Sequence, residues 1–192
     1  MKQLILASAS LQRKKLLKAL GVQFTIKSSR IKEVQKIQTT CSSLVKHNAL
    51  LKAKDVAGQL KAGVVVGADT LVYGSNKQII GKPRNLKEAK KILHELFSKP
   101  HWVYTGVAVI DVETGQHIVD YEKTKVFMLP LTDEEIDLYH AKVSPLDKAG
   151  GFDIEGGGSV FIHRIEGCYS NVIGLPIAKL ATMLRRVGVS IL

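Results

Sequence analysis

The chain has 192 residues, 45% of them apolar, which is enough for the core of one α/β domain or of two small lobes around one sheet. Lys and Arg outnumber Asp and Glu by 28 to 17, and the resulting formal charge of +11 favours anionic ligands. No apolar run approaches the roughly 20 residues of a membrane span. The two cysteines lack the paired spacing of a zinc site or a disulfide framework. We therefore expect a cytoplasmic protein with buried thiols.

The N-terminal part of the chain alternates strands with a helix. Residues 4–7 form an apolar run that predicts a short buried strand. Ser10 is placed to cap a helix over residues 11–20, and Gly21 is placed to end it. Residues 23–28 alternate apolar and polar side chains, which predicts a second strand.

A second helix and a long apolar strand follow. Ser42 or Ser43 can cap a helix that runs to about Leu60. Residues 63–74 are the most apolar strand region of the chain, and residues 79–83 after a polar turn predict its short returning partner.

The later elements have recognisable start signals. Asn85 with Glu88 and Thr132 with Glu135 have capping-box spacing, and Pro176 has a position expected in a first helical turn. The predicted elements are a helix over 86–97, a hairpin of strands over 102–112 and 117–129, a helix over 133–141, a structured glycine-rich loop over 150–158, a strand over 159–165 and a helix over 176–187. Their order predicts an α/β fold with a mixed sheet and flanking helices.

Asp69 interrupts the apolar stretch of residues 63–74. A carboxylate next to a buried strand is costly unless it is paired, hydrogen-bonded or bound to a metal. Ligands bind at strand ends in α/β sheets, so Asp69 at such an end suits a Mg²⁺ ligand or a base that activates water. The alternative is a turn in which Asp69 bonds its own backbone next to Gly67.

The junction of the first strand and first helix carries Ser8, Ser10 and Arg13. Helix N-termini attract anions, so these residues predict a phosphate site. The alternative is that Ser10 is only a cap and Arg13 a solvated residue. Lys82 is a further candidate phosphate contact, or a surface lysine, while Pro83 and the glycine spacing exclude a P-loop.

Six short motifs, taken together and in order, resemble those of one family. They read LILASASLQRKKLL, VVVGADTLV, IIGKP, VYTGVAVID, DKAGGFDIEG and EGCYSNVIGLPI, and they span residues 4–177. The chain resembles the Maf family of nucleoside triphosphate pyrophosphatases. The resemblance implies one Maf-like domain over residues 1–192, with an ITPase-like fold in which a mixed twisted sheet and flanking helices form two lobes around a cleft.

The resemblance also implies an activity, which is hydrolysis of a nucleoside triphosphate to the monophosphate and pyrophosphate with Mg²⁺ or Mn²⁺. The positions matching the family's catalytic set are Asp69, Glu33, Lys52 and Lys82, and those matching its phosphate-binding start are Ser8 and Arg13. Glu33 and Asp69 would hold the metal, and Asp69 is also the candidate general base. Lys32 stands where the family has the first residue of an acidic pair.

Three positions bear on the choice of nucleobase. Thr70 resembles the dTTP/UTP branch of the family, and Gln12 matches neither branch. Glu155 resembles the 7-methyl-GTP branch and stands where the dTTP/UTP branch has Gln. A carboxylate only accepts hydrogen bonds, whereas an amide also donates them, so Glu155 favours a donor-rich edge such as that of guanine. The base preference stays open among dTTP, UTP and modified nucleotides.

A non-enzymatic role is the alternative hypothesis. The family was named for inhibiting septum formation, and the positive charge could serve a nucleotide- or nucleic-acid-binding regulator of cell division. The sequence has no evident aromatic-interleaved basic stripe, and Glu33 with Asp69 would repel a phosphate backbone unless a metal intervened, so we do not expect nucleic acid as a partner. The resemblance implies a homodimer as an expectation.

Overall fold

The computed structural model describes residues 2–34 and 40–191. The strands are β1 Leu4–Leu6, β2 Phe24–Ile26, β3 Val64–Tyr73, β4 Ile79–Ile80, β5 His101–Asp111, β6 His117–Met128 and β7 Ile162–Glu166. The helices are α1 Leu11–Ala19, α2 Cys41–Ala57, α3 Leu86–Ser98, α4 Asp133–Lys142, α5 Tyr169–Ile173 and α6 Ile177–Arg185, with 3₁₀ turns at Ala149–Gly151 and Gly156–Val160. The predicted mixed α/β fold is confirmed.

The strands of the described part of the chain form a seven-stranded sheet in the order β2-β1-β3-β5-β6-β7, with β4 paired to β3 off this path. β1 is parallel to β2 and β3, whereas β4 is antiparallel to β3 and β7 is antiparallel to β6. In the β1–β3 pair, Leu6 lies opposite Val66. The end of β1 therefore lies beside the first part of β3, three residues before Asp69.

The chain divides into two compact units. The first unit is Met1–Asp69, Thr105–Glu122 and Gly174–Leu192, and the second unit is Thr70–Tyr104 and Lys123–Ile173. This division agrees with the two predicted lobes, while the cleft and the single domain over 1–192 stay predictions.

Each unit has its own hydrophobic core. In the first unit, successive β3 residues face opposite sides of the sheet, so Val64 packs in the cluster that contains α1 and α6, and Val65 in the cluster that contains α2. Burial on both faces explains why this part of β3 reads as a continuous apolar run. The second unit packs Leu93 of α3 and Ile136 of α4 in one cluster with Val126 of β6.

The start of α2 differs from the prediction. Thr40 is the N-cap, because its hydroxyl oxygen accepts a hydrogen bond from the Ser43 N–H at 3.2 Å. Ser43 is therefore the residue being capped, and the assignment of the cap to Ser42 or Ser43 is wrong. The helix also ends at Ala57, before the predicted Leu60.

Two other helix starts show where capping patterns succeed and fail. The Thr132 and Glu135 capping box is complete at α4. At α3, Asn85 accepts from the Glu88 N–H at 2.9 Å, but the Glu88 carboxylate accepts from the N–H of the preceding Arg84, so the box is incomplete.

Smaller differences concern the C-terminal part and the thiols. Pro176 is the N-cap of α6 and not a residue of its first turn. α5 was not predicted, because five residues are too few to show helical periodicity. Cys41 and Cys168 are free, but they are half-buried and not buried. Among the described residues, none of the helices has the length and apolar character needed to cross a membrane.

Candidate active site

Asp69 lies inside β3, and its side chain is almost fully buried. Its Oδ1 accepts a hydrogen bond from Lys52 Nζ at 2.8 Å, and its Oδ2 accepts one from Asn48 Nδ2 at 3.0 Å. These two bonds offset the cost of burying a carboxylate. The predicted strand-end position is wrong because β3 continues to Tyr73, and the self-bonded turn is wrong because Asp69 bonds to α2.

Lys52 on α2 binds two carboxylates with one ammonium group. Its Nζ lies 2.5 Å from Glu33 Oε1 and 2.8 Å from Asp69 Oδ1, and it also donates to the Ala68 carbonyl at 3.3 Å. The Lys52 side chain is 11% exposed, whereas that of Glu33 is 54% exposed. The structure therefore brings together three of the predicted site residues, with the open side of the cluster at Glu33.

The close approach of α2 to β3 allows these contacts. Asn48 and Lys52 are four residues apart on α2 and therefore lie on the same face of the helix. A Cβ atom at Gly67 would lie 2.3 Å from the Ala49 carbonyl oxygen. Only glycine at this point of β3 lets the helix lie close enough for both side chains to reach Asp69.

Asn48 is a site residue that sequence reasoning missed. It is 3% exposed, and its amide contacts Asp69 directly. The available signal was its spacing of four from Lys52, which places two polar side chains on the same face of α2.

The turn from β1 to α1 gathers Ser8, Ser10 and Arg13. Ser8 Oγ accepts from the Ser10 N–H at 3.2 Å and from Arg13 Nη1 at 3.1 Å. Ser10 caps α1 by accepting from the Arg13 N–H, as predicted. Arg13 Nε donates to the Gly174 carbonyl at 2.8 Å, and the residue is only 8% exposed. The alternative that Arg13 is a solvated helix residue is therefore wrong.

The buried Arg13 belongs electrostatically to the same cluster. Burial lowers the pKa of its guanidinium from the ordinary value, while the negative charges of Asp69 and Glu33 raise it. A buried cation is costly without such partners. Arg13 and Lys52, together with the positive end of the α1 dipole, make this part of the first unit attractive to an anion.

The remaining predicted residues occupy less enclosed positions. Gln12 is half-buried, and its Oε1 accepts from Ser10 Oγ at 3.3 Å, which leaves its amide N–H groups for a ligand. Thr70, Lys82 and Glu155 belong to the second unit. Thr70 is half-buried in β3, Lys82 is exposed after β4, and Glu155 is half-buried before a 3₁₀ turn. Their roles stay predictions.

The glycine-rich loop that carries Glu155 is structured, as predicted. Asp153 Oδ1 accepts from the Gly158 N–H at 3.0 Å and from Tyr139 Oη at 3.2 Å. A Cβ atom at Gly158 would lie 1.7 Å from the Asp153 carbonyl oxygen, so only glycine fits there. Burial raises the pKa of Tyr139, which keeps its hydroxyl a donor to Asp153.

Glu33 and Asp69 provide hard oxygen donors of the kind that Mg²⁺ and Mn²⁺ prefer. Within residues 2–34 and 40–191, no group of three or more His, Cys, Asp or Glu side chains could hold a metal ion. Two carboxylates that converge on one cation position fit a divalent ion whose other ligands come from the substrate and water. The donor set therefore suits a metal bound together with a polyphosphate, and not a closed structural site.

Nearly the whole chain matches one known protein family. The family model described as Maf-like protein matches residues 3–187. The chain belongs to the Maf family. The resemblance inferred from the six motifs is thus confirmed.

Curated relatives of this Maf protein extend over nearly its full length. The dTTP/UTP pyrophosphatase of Alkaliphilus oremlandii is 47% identical and covers 96% of each chain. The dTTP/UTP pyrophosphatase of Desulforamulus reducens is 44% identical and covers 100% of each chain.

Two solved structures have partial similarity to this chain. The HAM1 protein of Coxiella burnetii is 15% identical, covers 67% of this chain and 73% of its own, and has a TM-score of 0.48. The nucleoside-triphosphatase / dITP/XTP pyrophosphatase of Mycobacterium abscessus is 15% identical, covers 97% and 96% of the two chains, and has a TM-score of 0.47.

Proposed function

We propose that the protein hydrolyses nucleoside triphosphates to the monophosphate and pyrophosphate, with dTTP and UTP as preferred substrates. The observation that carries the proposal is the convergence of Glu33 and Asp69 on Lys52, in the same unit as Arg13 and Ser8. The names and high identity of the full-length relatives support the substrate class.

The β1–α1 turn supplies the groups that would bind phosphate. Backbone N–H groups at the start of α1 and the charge of Arg13 attract phosphate oxygens. Ser8 Oγ already accepts two hydrogen bonds, so its own hydrogen is available for donation to a ligand. This turn would hold part of the triphosphate chain and orient it for in-line attack.

The Asp69 carboxylate would accept a proton from the attacking water. Asn48 and Lys52 fix both of its oxygens, so the base is held in position before the substrate arrives. Lys52 would neutralise the charge that develops on the phosphate oxygens as the phosphoanhydride bond between the α- and β-phosphates breaks. A Mg²⁺ or Mn²⁺ ion held by Glu33 and Asp69 would add charge neutralisation and lower the pKa of the attacking water when bound.

A substrate panel tests this proposal. Each standard ribo- and deoxyribonucleoside triphosphate, together with 7-methyl-GTP and 5-methyl-UTP, is incubated with the protein and Mg²⁺, and the products are separated by anion exchange. We expect pyrophosphate and the monophosphate as products, with kcat/KM for dTTP and UTP at least about tenfold above that for GTP. Release of orthophosphate and a nucleoside diphosphate would contradict the proposed bond cleavage.

Two further arms separate the parts of the proposal. Chelation with EDTA should abolish turnover, and full activity in EDTA would overturn the metal requirement while leaving the cleavage reaction in place. Glu155→Gln introduces the residue found in the dTTP/UTP branch, so it should raise the preference for dTTP and UTP over 7-methyl-GTP. An unchanged preference would remove Glu155 from base selection.

A further inference from the structure

One face of α2 binds the segment that carries Glu33. Asn48, Lys52 and Asp55 are spaced by four and three residues and therefore lie along one face of the helix. All three side chains contact the segment Ser29–Val34, which has no helix or strand of its own. We call these three residues the α2 clamp.

The Asn48 side chain binds the backbone at the C-terminal end of this segment. The Val34 N–H donates to Asn48 Oδ1 at 3.0 Å, and Asn48 Nδ2 donates to the Val34 carbonyl at 3.0 Å. The second N–H of the same amide donates to Asp69 Oδ2 at 3.0 Å. A single buried amide thus connects the residue after Glu33 with the predicted general base.

Asp55 binds the N-terminal end of the segment. Its Oδ2 accepts from Ser29 Oγ at 2.8 Å and from the Arg30 N–H at 3.0 Å, and Ser29 Oγ in turn accepts from the Ile31 N–H at 3.2 Å. The hydrogen bonds from Ser29 and Arg30 lower the pKa of the Asp55 carboxyl below its ordinary value.

These two anchors lie on either side of Glu33. The Glu33 side chain is 54% exposed, and an ion pair with so much solvent access contributes little to holding a chain segment in place. The contact from Lys52 therefore contributes little to holding Glu33 beside Asp69. The bonds from Val34 to Asn48 and from Ser29 and Arg30 to Asp55 anchor the chain on both sides of Glu33.

We propose that Asn48 and Asp55 are positioning residues that hold the segment Ser29–Val34 on α2, so that Glu33 stays beside Asp69, and that Asn48 also orients the Asp69 carboxylate. This inference rests on the proposed function and assigns roles to two residues outside the family motifs quoted above. It predicts that Asn48 acts on turnover through Glu33 and Asp69 and not through substrate contact.

A double-mutant cycle tests the role of Asn48. Asn48→Leu keeps the side chain near its size and removes all its hydrogen bonds, and it should lower kcat for pyrophosphate release about 10- to 100-fold, as expected for a residue that orients a ligand or base. KM should change less than about threefold. Combined with Glu33→Gln, Asn48→Leu should add little to the loss caused by the stronger single variant. If the fold-losses in kcat of the two single variants multiplied fully in the double variant, the proposal would be overturned.

Amide hydrogen exchange tests the anchoring without any turnover. Asn48→Leu removes the acceptor of the Val34 N–H and should speed exchange of that amide at least about tenfold. Asp55→Ala removes the acceptor of the Arg30 N–H and the partner of Ser29 Oγ, which accepts from the Ile31 N–H, so it should speed exchange of the Arg30 and Ile31 amides. Asp55 lies at the surface end of the clamp, so its variant tests the proposal even if Asn48→Leu fails to fold. Unchanged exchange in Asp55→Ala would overturn the anchoring role.

Controls separate this inference from the proposed function. His47→Ala alters an exposed neighbour of Asn48 on α2 and should leave kcat and exchange unchanged. If the wild-type protein releases no pyrophosphate from any triphosphate, the proposed function fails. The exchange results would still decide whether the α2 clamp holds Ser29–Val34.

Discussion

At the scale of single residues, Lys52 is the side chain around which the site is arranged. Its ammonium group lies between two carboxylates that would otherwise repel each other. Arg13 adds a second, more deeply buried positive charge near the same carboxylates. If a divalent ion binds with the triphosphate as proposed, it would take over the neutralising role that Lys52 has in the free protein.

Burial of His101 should make the protein less stable in acid. Its ring is fully buried against Phe152, and both ring nitrogens lack a hydrogen-bond partner among the described residues. Burial lowers the pKa of His101 to about 4 from 6.5. The unfolded chain therefore binds this proton at a higher pH than the folded chain, so stability falls as the pH drops from 6.5 towards 4. The resulting loss in the free energy of unfolding is about 2 to 3 kcal/mol at pH 4.5.

Urea unfolding at pH 7 and pH 4.5 measures this effect. His101→Phe keeps an aromatic ring and removes the titrating group, so its free energy of unfolding should fall less between the two pH values than that of the wild type. His163→Phe, at an exposed position on β7, serves as the control and should behave like the wild type. An equal pH dependence in His101→Phe and wild type would show that His101 does not cause the acid sensitivity.

The residues of the site differ in how far the sequence could reveal them. Asp69 was identified because a charge in an apolar run needs a partner, and Ser10 was identified because its spacing fits a cap. Asn48 could not be identified in this way, since its role depends on the approach of α2 to β3 and on a backbone contact with Val34. Those contacts join parts of the chain that only the fold brings together.

At the scale of elements, α2 is fixed against the sheet through two glycines. Cβ atoms at Gly67 of β3 and Gly106 of β5 would lie 2.3 Å and 2.2 Å from carbonyl oxygens of α2. The helix backbone therefore rests directly on both strands. This close contact sets the height of Asn48 and Lys52 above Asp69.

Gly67→Ala should weaken both stability and turnover. The added methyl group would force α2 away from β3, and such overpacking costs about 1 to 3 kcal/mol. The same displacement would lengthen the bonds from Asn48 and Lys52 to Asp69. Urea unfolding and pyrophosphate release measure the two effects.

Gly58→Ala is the matched control for this prediction. Gly58 lies at the C-terminal end of α2 with helical backbone angles, and its added Cβ would meet the Lys54 carbonyl at an ordinary 3.4 Å. It should leave stability and turnover near wild-type values. Equal effects of the two substitutions would contradict the special role of Gly67.

The elements themselves were largely predictable, and their ends were not. Continuous apolar runs identified β3 and β5, and side-chain caps identified the starts of α1 and α4. The start of α2 was misplaced because Thr40, Ser42 and Ser43 are all good caps in the sequence, and only the backbone decides among them.

At the scale of the whole molecule, positive charge is concentrated in the first unit, which contains the cluster of Glu33, Lys52 and Asp69. The first unit has 16 Lys and Arg against 7 Asp and Glu, whereas the second unit has 12 against 10. The second unit does contain an aromatic and basic cluster that the sequence did not reveal, in which Lys123 lies over Trp102 and Arg164 over Phe127. Its nearly balanced charge gives the alternative of a nucleic-acid-binding regulator little support.

Asp69→Asn tests most directly whether the Asp69 carboxylate is the base for pyrophosphate release. The amide keeps the size of the side chain and cannot accept the proton, so kcat with dTTP should fall at least about 100-fold. Asp120→Asn, which changes a surface carboxylate paired with Lys179, should retain wild-type turnover. A folded Asp69→Asn protein that released pyrophosphate at the wild-type rate would contradict the account.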